Sequence, residues 1–490
     1  MQTKLAIGGE FVDALDGSSF DVFNPHDGSK IADVAQAKTA DVDRAVDAAG
    51  AAFPAWRSTA AADRGRLLLR LADAVEAHAE ELATLESTDT GHPVRDSSRL
   101  DVPRTAATFR YFGGMADKHQ GDLIPVERGF LNYLVREPIG VVGQIVPWNF
   151  PLMFTSWKMA PALAAGNTIV FKPAELTPLS ALRMAELMAE VGFPPGVVNI
   201  VPGSGRVAGA HLAAHPNVQK IGFTGSTAVG RTILEAAAGN LKRVQLELGG
   251  KGANIVFADA DLAAAIAGSA FAIFHNQGQA CIAGSRLILH RAIADDFVER
   301  FVRLAESIRL GDPLDPETEM GPLTSPEHRD RVMGYVKIAL DEGAQILTGG
   351  KPPEEPALAA GSYFEPTVVR ARPADRVSQE EVFGPVVTVT TFEAEEEAIE
   401  LANATEYGLG AGLWTRDLSR AHAVARGVVS GMVWINCYKR VNPASPFGGV
   451  RSSGFGREMG FDAMHEYTQP KSVWVNIDAD LPPWYDRTGV

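Results

Sequence analysis

The sequence predicts an α/β protein built on doubly wound parallel sheets. Three observations carry that expectation. Short Gly/Val/Ile runs, at 139–146 and 167–171 for example, read as strands buried on both faces. Stretches of helical periodicity alternate with these runs, which implies right-handed crossovers between parallel strands. The alternation restarts near residue 254, and a chain of 490 residues suits two or three domains rather than one.

Helices are expected near 39–53 and over 59–90, where Leu67, Leu68, Leu71, Ala72, Val75 and Leu82 recur at helical spacing. Across 120–138, Leu123, Ile124, Leu131, Tyr133 and Val135 alternate with polar neighbours, so this segment reads as extended and leaves the main body. Strands follow at 139–146 and 167–171. A helix with Leu179, Leu182, Leu187, Met188 and Val191 on one side then ends at Gly192. Strands 197–201 and 218–223, helix 226–238 and strand 243–248 complete the first unit. The second unit has strand 254–257, helix 262–274, strand 286–289, helices 294–307 and 326–342, and strand 344–348. Strands near 363–369 and 384–391, helices 394–403 and 418–427, and strand 431–436 close it. The boundary between the units is expected at Gly249-Gly250, and the Pro/Ala/Glu-rich stretch 350–362 reads as a surface loop.

Hydrophobic residues make up 46% and charged residues 21%, an ordinary globular balance. A net charge of -15 disfavours a nucleic-acid partner, because holding phosphates needs a basic face. No run of about 18 apolar residues occurs, so no membrane span is expected. The opening Met1-Gln2-Thr3-Lys4-Leu5 lacks a basic stretch followed by an apolar one, so no secretory signal is expected. Cys281 and Cys437 make no disulfide framework and suit a reduced, cytoplasmic setting, with Cys437 as a packing residue. No metal site is expected.

Chemistry concentrates in the turns. Cys281 closes Asn276-Gln277-Gly278-Gln279-Ala280-Cys281, 34 residues beyond the Glu247 of Glu247-Leu248-Gly249-Gly250-Lys251. A thiolate is the best side-chain nucleophile, and a glutamate of raised pKa is a competent general base. Together they point to covalent catalysis on an electrophilic carbon; otherwise the cysteine is a small buried hydrophobe. Phe223-Thr224-Gly225-Ser226-Thr227-Ala228-Val229-Gly230 follows a strand and opens a helix, whose free N–H groups suit a phosphate. Thr227 stands where the middle glycine of G-x-G-x-x-G would be, and a plain strand-to-helix turn fits the same residues. Phe171-Lys172-Pro173-Ala174-Glu175 sits at a strand's C-terminal end, the ligand edge of doubly wound sheets. From there Lys172 and Glu175 reach ribose hydroxyls, and the carboxylate repels a 2′-phosphate, favouring NAD over NADP; a surface ion pair would use the same two residues. In Pro147-Trp148-Asn149-Phe150-Pro151, the Asn149 amide either donates to an oxyanion or holds its own turn. Glu381-Val382-Phe383-Gly384-Pro385 sets a carboxylate beside a ring, to grip a ribose near a nicotinamide or simply to turn over a core phenylalanine.

In this order and spacing the motifs resemble those of the NAD(P)-dependent aldehyde dehydrogenase superfamily, of the non-phosphorylating, hydrolytic type. Ala283-Gly284-Ser285-Arg286, Pro446-Phe447-Gly448-Gly449 and Ser453-Gly454-Phe455-Gly456-Arg457-Glu458 extend the likeness, which spans about residues 20 to 475. The resemblance implies that Cys281 attacks an aldehyde to give a thiohemiacetal. Asn149 and the Cys281 backbone N–H would hold the oxyanion. NAD would take the hydride, leaving a thioester that Glu247 hydrolyses by activating water, with a share in deprotonating the thiol. Lys158 and Glu458 match positions that relay protons from that base, or form a structural ion pair. Lys172 and Glu175 are implied as adenosine-ribose ligands, Gly225 and Ser226 as the pyrophosphate turn, and Glu381 and Phe383 as the nicotinamide-side clamp. Trp148, Gly205, Phe223 and Leu248 are further implied cofactor contacts.

The implied fold is a Rossmann-like cofactor domain (1–119 and 139–249), an α/β catalytic domain (250–449) and a small β oligomerisation element (120–138 and 469–490). Residues 450–468 would return to the cofactor and catalytic body. An apolar strand at 472–477 is an aggregation liability unless paired, so a homodimer or homotetramer is expected.

Substrate choice in the family lies in a tunnel to the thiol, whose lining would be Phe150, Phe154, Trp157, His275, Ile282, Val441 and Phe447. Mostly apolar and aromatic, it suits a medium-chain aliphatic or aromatic aldehyde. Lys439 and Arg440 in a matching loop either greet the carboxylate of a semialdehyde or face solvent, as charge runs usually do; solvent is the expectation. The stretch around Trp157 lacks the arginine of semialdehyde-specific relatives, and no carboxylate is placed to meet an amino or betaine aldehyde. The same scaffold also serves CoA-acylating enzymes and non-catalytic proteins. A CoA-acylating enzyme commonly lacks a base at the Glu247 position, and a non-catalytic protein has little need for Cys281, Glu247 and Asn149 together.

Overall fold

The computed structural model describes residues 1–480. Residues 481–490, the end of the segment expected to serve oligomerisation, lie outside the described residues. Two large sheets carry the architecture. The first runs Gly454–Phe455, Arg243–Glu247, Lys220–Thr224, Val141–Ile145, Thr168–Lys172, Val198–Ile200, Leu5–Ile7, Glu10–Val12. Its five inner strands, from Arg243–Glu247 across to Val198–Ile200, are parallel. Val141–Ile145, Thr168–Lys172 and Lys220–Thr224 are buried at every position, as helices on both faces require.

The chain moves outward from Val141–Ile145 to Val198–Ile200, then returns to lay Lys220–Thr224 on the other side. That reversal creates a switch point between two neighbouring strands, the place where doubly wound sheets bind ligands beyond their carboxyl ends. The second sheet runs Gln345–Thr348, Thr367–Arg370, Val386–Phe392, Arg286–His290, Ala253–Val256, Gly410–Trp414, Met432–Ile435. It is parallel except at its first edge. A third, antiparallel sheet joins Thr468–Asn476, Phe130–Pro138 and Leu123–Ile124. No helix of the described residues is long and apolar enough to cross a membrane.

Three features depart from the sequence-based expectation. Residues 59–90 form two helices, Ala61–Ala77 and Ala79–Thr90, which meet at His78 (φ -108°, ψ 25°). Apolar spacing continues across the break to Leu82, which hides it from the sequence. The N-terminal region holds strands Leu5–Ile7, Glu10–Val12, Ser19–Phe23 and Lys30–Ala35, the first two too short to display a period of two. Helix Val102–Met115 also has no counterpart among the expected elements.

Helix Ala79–Thr90 supports the ligand edge from behind. Its buried Glu86 and Asp89 accept hydrogen bonds from the Leu152 N–H (3.1 Å) and the Leu179 N–H (3.0 Å). These amides open helices Pro151–Ala165 and Leu179–Glu190, neither of which is capped by its own N-cap side chain. Distant carboxyls thus satisfy donors that a helix start leaves orphaned. Burial holds both acids above the usual carboxylate range, Glu86 at about 8.

Candidate active site

Cys281 stands where two cavities meet. It lines one with Trp148, Asn149, Gly225, Ser226, Leu248, Glu381 and Phe383. It lines the other with Phe150, Phe154, Trp157, His275, Ile282, Val441 and Phe447. The first cavity lies at the switch point of the eight-stranded sheet.

The loop presenting the thiol is held in an uncommon conformation. Asn276, Gln277 and Gly278 all have positive φ, at 54°, 54° and 71°. Such backbone costs a non-glycine residue roughly 1–3 kcal/mol and persists only when its surroundings enforce it. Here Gln277 Nε2 donates to Gly91 O (2.7 Å) and Pro322 O (3.0 Å), and the Thr324 N–H donates to Gln279 Oε1 (2.9 Å). A Cβ on Gly278 would come within 2.0 Å of Gly384 O, so this position needs glycine for space as well as for φ. Asn276 Nδ2 donates to Asn149 O, and Asn149 Nδ2 donates back to Gln279 O, both at 2.8 Å. The Asn149 turn and the cysteine loop are thereby locked together.

Burial and the carboxylates Glu381 and Glu247 push the half-buried Cys281 thiol up to about 12, while the Ile282 N–H and Lys439 act the other way. Glu247 ends its strand buried, and neither of its carboxylate oxygens has a hydrogen-bond partner among the described residues. Burial, reinforced by Glu458, holds its carboxyl well above the usual range despite Lys158. Lys158 and Glu458 form a fully buried ion pair, which leaves Glu458 Oε2 without a partner among the described residues.

The first cavity offers a donor set that fits a dinucleotide. Helix Thr227–Ala237 opens onto it, with the Ser226 hydroxyl accepting from the Val229 N–H (3.3 Å) and the other first-turn amides left for a phosphate. Trp148, His328 and Phe383 form an aromatic wall, with ring centroids 5.0 Å, 5.4 Å and 6.1 Å apart. Glu381 Oε1 accepts from the Gly250 N–H (2.8 Å), and a Cβ on Gly249 would sit 2.5 Å from Oε2. The space beside this carboxylate therefore exists only because residue 249 is glycine. Burial raises the Glu381 carboxyl to about 7.

Lys172, Glu175 and Gly205 gather at the neighbouring strand end, outside the walls of that cavity. The Gly205 N–H donates to Glu175 Oε2 (3.2 Å), and Lys172 Nζ donates to Pro173 O (2.7 Å) and Gly203 O (3.1 Å). Phe223 does not meet the cavity. Successive strand side chains alternate between faces, and Phe223 takes the core face, buried with Ile221 and Leu246.

Sequence reasoning missed three polar lining residues, His328, Arg331 and Arg104, and favoured solvent over a substrate-facing place for a fourth, Lys439. His328 and Arg331 line the first cavity, and Arg104 and Lys439 the second. Arg104 sits in a helix that carries no motif, so no local signal marks it. Lys439, expected in solvent, is 4% exposed, whereas its neighbour Arg440 is exposed as expected. A run of two charges reads as solvated until the fold closes over one of them.

Comparison with known proteins agrees with this geometry. The model of the aldehyde dehydrogenase family matches residues 11–473, and the chain belongs to that family. It is 67% identical to the solved structure of PnpE from Pseudomonas sp. WBC-3, covering 99% of this chain and 100% of that one, with a TM-score of 0.98. PnpE has also been solved in complex with nicotinamide adenine dinucleotide. Betaine aldehyde dehydrogenase of Bacillus subtilis (strain 168) is 45% identical over 99% of this chain and all of its own length. Retinal dehydrogenase 2 of Homo sapiens is 46% identical over 97% of this chain and 92% of its own.

Proposed function

We propose that this protein oxidises an aldehyde to its carboxylic acid with NAD, through a thioester on Cys281. The observation that carries the reading is the shared wall: one thiol borders both a dinucleotide-type cavity and an apolar, aromatic one. Trp148, Ser226, Leu248, Glu381 and Phe383 would hold the cofactor, with Lys172, Glu175 and Gly205 at the adenosine end. Glu175 is exposed there and disfavours a 2′-phosphate, so NAD is preferred over NADP.

Attack of the Cys281 sulfur on the aldehyde carbon forms the C–S bond of a thiohemiacetal. Glu247 takes the proton that the thiol gives up in this step and hands it on before hydrolysis, and the Ile282 N–H and Lys439 favour the thiolate. The second N–H of the Asn149 amide and the Cys281 backbone N–H hold the oxyanion, where one well-placed donor is worth about 3 kcal/mol. Bound NAD supplies the hydride acceptor. Glu247 then takes a proton from water, whose oxygen displaces the thioester sulfur, so one water is consumed and the acid released. Glu458 and Lys158 pass the proton on from Glu247.

The tunnel suits a medium-chain aliphatic or aromatic body. The apolar face of the three-stranded sheet pairs with another copy, giving a dimer or tetramer. Two free thiols suit the cytoplasm. NADH formation at 340 nm over aliphatic, aromatic, amino and carboxylate-bearing aldehydes tests the reading, with Cys281→Ala beside the wild type. Turnover that vanishes in the variant is expected; turnover that survives it sinks the covalent route.

A further inference from the structure

Lys439 is buried, and Arg104 half-buried, in the wall of the cavity that reaches Cys281. A buried charge is costly unless an opposite charge meets it. Of the nearby acids, Asp101 lies against His92 (2.7 Å) and Asp96 against Arg95 (3.4 Å); Asp101 favours the charge on Arg104 but forms no ion pair with it. Lys439 Nζ reaches only the His275 carbonyl (3.4 Å) and the Phe271 ring (5.9 Å). Among the described residues, neither Arg104 nor Lys439 forms an ion pair. The cavity wall therefore holds two basic side chains without an ion-pair partner, and burial lowers Lys439 to about 7, so an anion seated beside it would restore its charge.

His275 completes the group. Its ring is buried, and neither ring nitrogen has a hydrogen-bond partner among the described residues. His92, Asp96 and His275 approach closely enough to resemble a cation site. However, burial first of all, and then the positive charge of Lys439, His92, Arg104 and Arg95 around it, keep the His275 ring neutral. That field repels a metal ion and attracts an anion. Arg440, exposed beside Val441 and Phe447, extends the positive charge outward. The whole chain carries -15, so this local reversal of sign offsets a general repulsion of anionic ligands.

Resting on the aldehyde-oxidising reading above, we propose that the substrate carries a carboxylate at the end opposite its aldehyde, across a flat or apolar spacer. The carboxylate sits between Arg104 and Lys439, where a planar guanidinium gives directed, charge-assisted hydrogen bonds, and His275 donates a further one. The spacer passes Phe154, Trp157 and Phe447, and the aldehyde carbon reaches Cys281. The product is a dicarboxylate.

Steady-state kinetics on a matched pair, 4-carboxybenzaldehyde and 4-methylbenzaldehyde, tests this, together with calorimetric binding of both to NAD-saturated Cys281→Ala. The wild type is expected to favour the carboxylate member at least about tenfold in kcat/KM. Arg104→Met and Lys439→Met should each collapse that ratio, mainly through KM, and Arg104→Lys should restore part of it. Equal kcat/KM for the pair in the wild type overturns the inference and leaves the aldehyde-oxidising reading standing. A Lys439→Met enzyme that loses kcat on both members with the ratio intact assigns the lysine to the thiol and overturns its role here. If neither compound turns over, binding decides: tighter binding of the carboxylate member supports the anion site while the proposed reaction falls, and equal binding overturns the site.

Discussion

In the proposed mechanism Glu247 is what separates a hydrolytic enzyme from one that would stall with its thiol acylated. Its carboxyl is held well above the usual range because burial and Glu458 both penalise the charge. The base form therefore grows as pH rises, and kcat is expected to climb with pH above the usual carboxylate range. Glu247→Gln keeps the shape and removes the base. It also removes one of the two carboxylates that raise the Cys281 thiol, so acylation is spared while hydrolysis suffers. A burst of about one NADH per site should precede a steady rate lower by roughly 10²–10⁴-fold. Acid-quenched protein should show the acyl mass on Cys281. Steady turnover at the wild-type rate would remove Glu247 from hydrolysis. Cys281 and Glu247 drew notice in the sequence because reactive types stand out in glycine-rich turns. Arg104 did not, and Lys439 did so only as the less favoured of two readings, because only tertiary closure distinguishes a buried basic side chain from a solvated one.

Among the elements, strands were legible where both faces are buried, since an unbroken apolar run such as Thr168–Lys172 needs no partner to be recognised. Strands such as Leu5–Ile7 exist because a neighbouring edge offers hydrogen bonds, and three residues cannot announce that. The caps of helices Pro151–Ala165 and Leu179–Glu190 are equally non-local, because Glu86 and Asp89 come from a separate helix. The Glu86 cap makes stability depend on pH. Its carboxyl, ordinarily near 4.5, titrates at about 8 when folded, with burial the main cause and Asp101 the second. A raised folded pKa gives stability that is full below about 4.5 and is lost as pH rises through about 8. The loss corresponds to about 5 kcal/mol. Glu86→Gln keeps an acceptor for the Leu152 N–H and removes the titration. Its thermal midpoint should therefore fall less than that of the wild type between pH 5 and pH 9. Parallel midpoints across that range would show that Glu86 does not carry the dependence.

Over the whole molecule, Asn149, Lys172, Gly225 and Glu247 share one edge because each ends or follows a parallel strand of the first sheet, and strand-turn-helix patterns are written locally; Cys281 and Glu381 come instead from loops that precede strands of the second sheet. How separate parts of the chain face one another is not written locally, which is why the walls of the second cavity were only half foreseen. The same holds for the outer surface. Val475 pairs with Leu131 and Val473 with Tyr133 in the three-stranded sheet, so these side chains share one face with Val135. Leu131, Tyr133, Val135 and Val475 are 36%, 37%, 40% and 40% exposed, and Trp474 on the opposite face is 56% exposed. A contiguous apolar sheet face of this kind marks an interface, and the edge strand Thr468–Asn476 offers backbone hydrogen bonds beside it. Light scattering on the eluting wild-type peak should give a multiple of the chain mass. Val475→Glu and Tyr133→Glu set an unpaired charge into that face, which costs several kcal/mol once water is excluded, and should shift the peak toward a single chain. A wild type that elutes as a single chain at tens of micromolar would mean that the face is covered by something other than a second copy.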